Sequence, residues 1–107
     1  MRMDRERAEA ARAAGEQLAE RAKAYALKLC PNYRDKIFCS SRVETARKRF
    51  GLQFIRQDTV VLTVRFSEVD EGTREGLGKA VLEQVRASLR ERFLAGLNVT
   101  IQWRFKQ

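Results

Sequence analysis

Two thiols and one run of three cations are the residues here whose types and spacing can support chemistry. Cys30 and Cys39 bracket the segment Cys30-Pro-Asn-Tyr-Arg-Asp-Lys-Ile-Phe-Cys39, a spacing that matches neither a redox C-x-x-C nor a zinc knuckle. Two cysteines cannot supply the four soft ligands of a structural zinc site. Two states stay open for them: a disulfide closing this loop, which needs an oxidising compartment, or two reduced thiols. The start, Met1-Arg2-Met3-Asp4-Arg5-Glu6-Arg7, has no apolar leader, so a cytoplasmic location and reduced thiols are expected.

The residue types that are missing exclude more. The chain has no histidine, which removes Ser-His-Asp and Cys-His arrangements, histidine bases and imidazole metal sites. No glycine loop ends in Gly-Lys-Ser/Thr, so nucleotide hydrolysis has no support. Acid–base chemistry would then need paired carboxylates or a perturbed lysine. Glu68, Asp70, Glu71 and Glu75 do cluster, but where a helix start favours negative charge. The expectation is a non-enzyme, without metal or cofactor.

The cations point elsewhere. With 22 Lys+Arg against 14 Asp+Glu the formal charge is 22 − 14 = +8. Residues 30–66 hold most of the excess, eight basic groups against three acidic. Arg47-Lys48-Arg49 is the run of three, and Arg34, Lys36, Arg42, Arg56 and Arg65 surround it in sequence. Such a patch attracts phosphates and releases counterions, and Arg presents a planar fork to phosphate oxygens. Tyr33 and Phe38 lie in the same region and would stack on bases if exposed. The competing reading is a solvated Arg-rich surface produced by composition alone.

The elements that must position these groups follow from periodicity. Residues 4–29 read as one helix, rich in alanine and without proline, with Ala11, Gly15, Leu18, Ala22, Tyr25 and Leu29 as its apolar stripe. Arg7, Arg12, Glu16, Glu20, Arg21 and Lys23 fall on its other faces. Pro31 ends it. A connection is expected over 31–42. Ser41-Arg42-Val43-Glu44 has the form of a capping box, which predicts a short helical turn near 42–48 and then a strand near 50–56. Val60, Leu62, Val64 and Phe66 share one face of a second strand. A three-residue turn, Arg56-Gln57-Asp58, would align Phe50, Leu52 and Phe54 with that face; a two-residue turn would mismatch them. A helix over about 73–94 carries Leu77, Val81, Val85, Leu89 and Phe93, opened by Asp70-Glu71-Gly72-Thr73 and closed by Gly96. Val99, Ile101, Trp103 and Phe105 alternate inward along a last strand, with Thr100, Gln102 and Arg104 outward.

The expected fold is a two-layer α+β domain of order α-β-β-α-β, with a small three-stranded sheet and two long helices on one face. Residues 1–107 would form a single domain, residues 1–29 supplying the first helix and 43–107 the hairpin, helix and last strand. Topologically the order resembles a ferredoxin-like fold lacking its first strand, and also the order of type II KH domains. A KH domain needs a G-x-x-G clamp. Gly72-Thr73-Arg74-Glu75-Gly76 and Gly76-Leu77-Gly78 have the wrong spacing for it, so membership does not follow.

The function expected on this basis is a small basic module binding nucleic acid or a ribonucleoprotein. Its contacts would be Arg34, Lys36, Arg42, Arg47, Lys48, Arg49 and Arg56, with Arg65 and Arg104 on the open sheet face. The alternative is a non-catalytic protein-interaction module meeting an acidic protein surface, such as an assembly adaptor or an inhibitor of the anti-CRISPR sort. A homodimer through the first helix or a sheet edge is also expected to be possible, and no membrane partner is.

Overall fold

A 28-residue run with no interior proline forms helix α1 (Arg2–Leu29). The computed structural model describes residues 2–90 and 98–106, with the backbone alone at 2–4, 103, 105 and 106. Helix α1 buries Ala11, Ala14, Leu18, Ala19, Ala22 and Ala26. The stripe therefore continues through Ala26, whereas Tyr25 is half-buried and Leu29 exposed. Its small residues bring the helix axis close to the sheet. A Cβ on Gly15 would sit 3.0 Å from Val60 Cγ1 and 3.1 Å from Ser41 Oγ.

Pro31–Tyr33 make one 3-10 turn after the helix, and strand β1 (Ile37–Phe50) begins four residues later. The expected loop over 37–42 and helical turn near 42–48 are thus replaced by one continuous strand. Cross-strand pairing overrides the local capping signal. Ser41 stands opposite Leu62 in the ladder, and the Glu44 carboxylate accepts from Arg42 Nη2 at 2.8 Å instead of reaching back to a helix start. At its other end β1 is pinned by the Ser67 amide donating to the Lys36 carbonyl at 2.8 Å.

Strand β2 (Gln53–Ser67) pairs antiparallel with β1, Phe50 opposite Gln53. The turn is therefore the two residues Gly51-Leu52, not Arg56-Gln57-Asp58, which lie inside β2 opposite Arg47, Ala46 and Thr45. Gly51 has φ +63°, the conformation that a two-residue hairpin turn asks of its first position and that glycine adopts without strain.

Asp70 caps helix α2 (Glu71–Leu89). Its carboxylate accepts from the Thr73 amide at 3.0 Å and the Thr73 hydroxyl at 2.7 Å, and these bonds hold it below the usual carboxylate range. The acidic cluster's capping role is real at this residue. Leu77, Val81, Val85 and Ser88 are buried and Leu89 half-buried. The expected continuation to 94, with Arg92, Phe93 and the Gly96 cap, lies outside the described residues.

Strand β3 (Asn98–Lys106) pairs parallel with β2, Thr59 opposite Asn98 through Ser67 opposite Lys106. The sheet order is β1-β2-β3. Ala14, Leu18, Ala22 and Ala26 of α1 meet Leu77, Val81 and Val85 of α2 over Leu62, Val64 and Phe66 of β2. Both helices therefore cover one face of the sheet, which is the α+β arrangement with order α-β-β-α-β.

Register assigns the faces. Odd residues of β1 and even residues of β2 look toward the helices; Phe38, Ser40, Arg42, Val61, Thr63 and Arg65 look away from them. Because β3 begins opposite Thr59, residues 44–58 form, among the described residues, a two-stranded arm beyond the third strand. The molecule measures 51 × 26 × 19 Å with a radius of gyration of 15.6 Å, above the roughly 13 Å of a compact chain of this length.

Candidate functional site

Strand β1 is an edge strand, and its helix-facing side carries Cys39 into the seam against α1. A groove of about 350 Å³ opens there, lined by Cys39, Ser40 and Ser41 from the strand and by Glu16, Ala19, Glu20 and Lys23 from the helix. The helical spacing of Glu16, Glu20 and Lys23 sets them along one flank of α1. Cys39 is a half-buried free thiol, as is Cys30 at the end of α1, so no disulfide joins them. Burial pushes the Cys39 thiol up to about 11, against the opposing pull of the Lys23 ammonium. At pH 7 the Cys39 sulfur is therefore held as the thiol. What the groove offers is a protonated sulfur, a cation and two carboxylates around a small opening.

The other side of the sheet carries a basin of about 480 Å³ with Phe38, Ser40, Arg42, Thr63, Arg65 and Arg104 around it. Its arginines are not idle. Arg42 is bonded to Glu44, and the Arg65 guanidinium lies over the Phe38 ring at 4.8 Å from its centroid. Lys36 sits over Tyr33 at 5.7 Å in the same manner. The two aromatics expected to receive bases are therefore already faced by cations of the chain itself.

The arm carries the remaining cations. Arg47 stands opposite Arg56, and Lys48 opposite Ile55. Like charges facing one another across a ladder are unfavourable, and Asp58 relieves them. Its Oδ1 accepts from Arg56 Nε at 3.2 Å and from the Thr45 hydroxyl at 2.7 Å. These contacts, the Thr45 bond first, hold the Asp58 carboxyl below the usual range. At the tip, Arg49 Nε donates to the Gly51 carbonyl at 2.9 Å.

The nine basic residues singled out in the sequence are thus spread over three places. Arg34 and Lys36 precede β1, Arg42, Arg65 and Arg104 occupy the open sheet face, and Arg47, Lys48, Arg49 and Arg56 belong to the arm. From Ile37 to Phe50 the strand runs about 43 Å at ~3.3 Å per residue, so these groups do not make one patch. Sequence reasoning placed Cys39 in a loop and Glu16, Glu20 and Lys23 on solvated helix faces. Nothing in the sequence joins them; only the packing of α1 on β1 does.

The fold is that of proteins of organic hydroperoxide resistance. Among the solved structures that share it are an organic hydroperoxide resistance protein OsmC of Legionella pneumophila, described as a predicted redox protein and regulator of sulfide bond formation, and the organic hydroperoxide resistance protein OhrB of Bacillus subtilis. The first aligns over 94% of this chain and 68% of its own length, with a TM-score of 0.57 and 13% identity. The second aligns over 86% and 65%, with a TM-score of 0.50 and 13% identity. No protein-family model matches the sequence, and no curated protein is similar to it. The likeness corrects the expected nucleic-acid or ribonucleoprotein module, together with its anti-CRISPR-like or adaptor alternative. The α-β-β-α-β order that resembled a KH domain belongs here to a hydroperoxide-resistance architecture. No helix among the described residues is long and apolar enough to cross a membrane.

Proposed function

We propose that this chain is a thiol redox protein that reacts with organic hydroperoxides at Cys39. The observation that carries the reading is the seam groove, where a thiol, an ammonium and two carboxylates line one opening. The structural neighbours agree in class, and at their identity they speak for the fold alone. In the reaction the Cys39 proton passes to a carboxylate of the groove, Glu16 or Glu20, and the sulfur attacks the terminal peroxide oxygen. The O–O bond breaks, the alkoxide takes a proton from Lys23 and leaves as alcohol, and Cys39 is left as a sulfenic acid. A second thiol then condenses with it, giving a disulfide and water. Cys30, packed against the same core as Cys39, is the internal candidate.

This reading departs from the non-catalytic expectation, which rested on the missing histidine. Peroxide reduction by sulfur needs a thiol and a proton donor; imidazole is not required. Protonation of Cys39 sets the pace. The thiolate fraction, and with it the rate, should rise with pH, because burial holds the Cys39 thiol protonated. Intact mass after exposure to tert-butyl hydroperoxide, followed across alkaline pH, tests it. A gain of one oxygen, or a loss of two hydrogens, that rises with pH and vanishes in Cys39→Ser is expected. No mass change at any pH, or one unaltered in Cys39→Ser, overturns the assignment.

A further inference from the structure

The arm ends in apolar side chains that stay largely exposed among the described residues, with Arg7 of α1 reaching only the side of Phe54 and Ile55. Leu52 at the apex is 93% exposed, Phe54 67%, Phe50 60% and Ile55 50%. Register points them in different directions: Phe54 toward the helix side of the ladder, Phe50 and Ile55 toward the open side, with Leu52 at the end. A partner protein groove covers one face of a hairpin. Apolar groups on both faces and at the apex call for a medium that surrounds the tip.

Charge identifies that medium. Residues 47–56 contain Arg47, Lys48, Arg49 and Arg56 and no acidic residue. The arm's two carboxylates lie behind them and are engaged, Glu44 by Arg42 and Asp58 by Arg56. Arg47 and Arg56 stand three ladder positions behind Phe50 and Gln53, about 10 Å at the rise of an extended strand. The cations thus form a collar just behind an apolar tip, and its depth matches the ~5–10 Å to which interfacial apolar groups enter a headgroup and acyl boundary. Arg and Lys stems are long enough to place their charges at the lipid phosphates while the tip enters. A second copy of the same arm would bring two such collars together and is disfavoured by like charge.

We infer that the hairpin arm inserts its Phe50–Phe54 tip into the surface of an anionic phospholipid bilayer, with Arg47, Lys48 and Arg49 seated on the lipid phosphates. The contact is peripheral and needs no spanning segment. It brings the protein to the phase in which apolar peroxides concentrate, and it is independent of Cys39. The proposal goes beyond the finding that no helix among the described residues is long and apolar enough to cross a membrane.

Flotation of the full chain with vesicles tests it, using phosphatidylcholine alone and phosphatidylcholine mixed with phosphatidylglycerol, each at low and high salt. Binding to the mixed vesicles is expected, with little binding to the neutral ones and loss at high salt. Each basic residue near an anionic surface is worth about fivefold in partitioning, so reversing Arg47, Lys48 and Arg49 to Glu should cost roughly a hundredfold or more. Replacing Phe50, Leu52 and Phe54 by Ser should release the protein while every charge is kept. Leu52→Trp, read against the Trp103 background, should shift its emission to the blue on mixed vesicles alone. All these positions are exposed, and circular dichroism of each variant checks that the fold stands. No flotation with mixed vesicles, binding kept by the Ser variant, or an unshifted Leu52→Trp emission overturns the proposal. Self-association without vesicles that the Ser variant abolishes would overturn it too, and would make the tip an interface between copies.

Discussion

Strands β1 and β2 run through two environments along one unbroken ladder. Where α1 and α2 lie above it, Ile37, Val60, Leu62, Val64 and Phe66 are buried to 1% exposure or less. In the arm, Phe50 and Phe54 belong to the same two strands and remain mostly in water. The alternation of residue types is similar in the two halves; the cover is not. Strand periodicity tells which residues share a face, and a second layer decides whether that face is a core. Among the described residues only Arg7 of α1 reaches the arm, which is why its apolar side chains stay exposed.

The sharpest way to break this contrast is to truncate one phenylalanine in each half. Phe66→Ala removes a fully buried ring and is expected to cost about 3–5 kcal/mol. Phe54→Ala, on the same face twelve residues earlier, should stay within about 0.5 kcal/mol. Urea midpoints of the two variants measure the difference, and similar losses would mean that the arm is packed in solution.

Next in size is the contact that creates the covered half. Gly15→Val places methyl groups where a bare Cβ already meets Val60 and Ser41. Val60 is fully buried and stiff, so the helix must lift, at an expected cost of about 1–3 kcal/mol. Gly15→Ala is the milder probe, since a gain of up to ~1 kcal/mol in helix propensity opposes the clash. Thermal unfolding of the pair reads how tightly α1 sits on the sheet.

The smallest effect concerns the junction between the halves. Asp58→Ala removes the acceptor shared by Thr45 and Arg56 and should cost about 1 kcal/mol. The Asp58 carboxyl is held below its ordinary range, first by the Thr45 hydroxyl and then by Arg56. Its stabilisation is therefore fully present above the unfolded value near 3.9, and it is lost as pH falls through the lower folded value. Asp58→Asn should flatten that acid-side loss. Urea midpoints compared at about pH 6 and about pH 3 would show it.

Much of the fold was legible in the residues. The Ala-rich run before Pro31, the four-residue spacing of Leu77, Val81 and Val85, and the even parity of Val60–Phe66 each announce their element through one period. The hairpin was not legible in the same way. Gly51 reads equally as a helix stop or a turn, and Phe50, Leu52 and Phe54 suggest burial to any reasoning that assumes apolar residues are covered. That assumption moved the expected turn to 56–58. Ser41 and Glu44 misled for a related reason: a capping box is a local signal worth little against fourteen ladder pairs.

Charge, the absence of histidine, the order of elements and their apolar faces are properties of the polymer, because helix and strand periods are set by backbone geometry alone. Which groups meet across the seam is not. Cys39 faces Glu16, Glu20 and Lys23 only because α1, thin along its alanine and glycine stripe, lies down on an edge strand. Phe54 is exposed because it lies on the helix side of the ladder but beyond the cover given to Leu62 and Val64, and Phe50 because it faces the open side. Both outcomes depend on distances between segments far apart in the chain, and no local pattern encodes those.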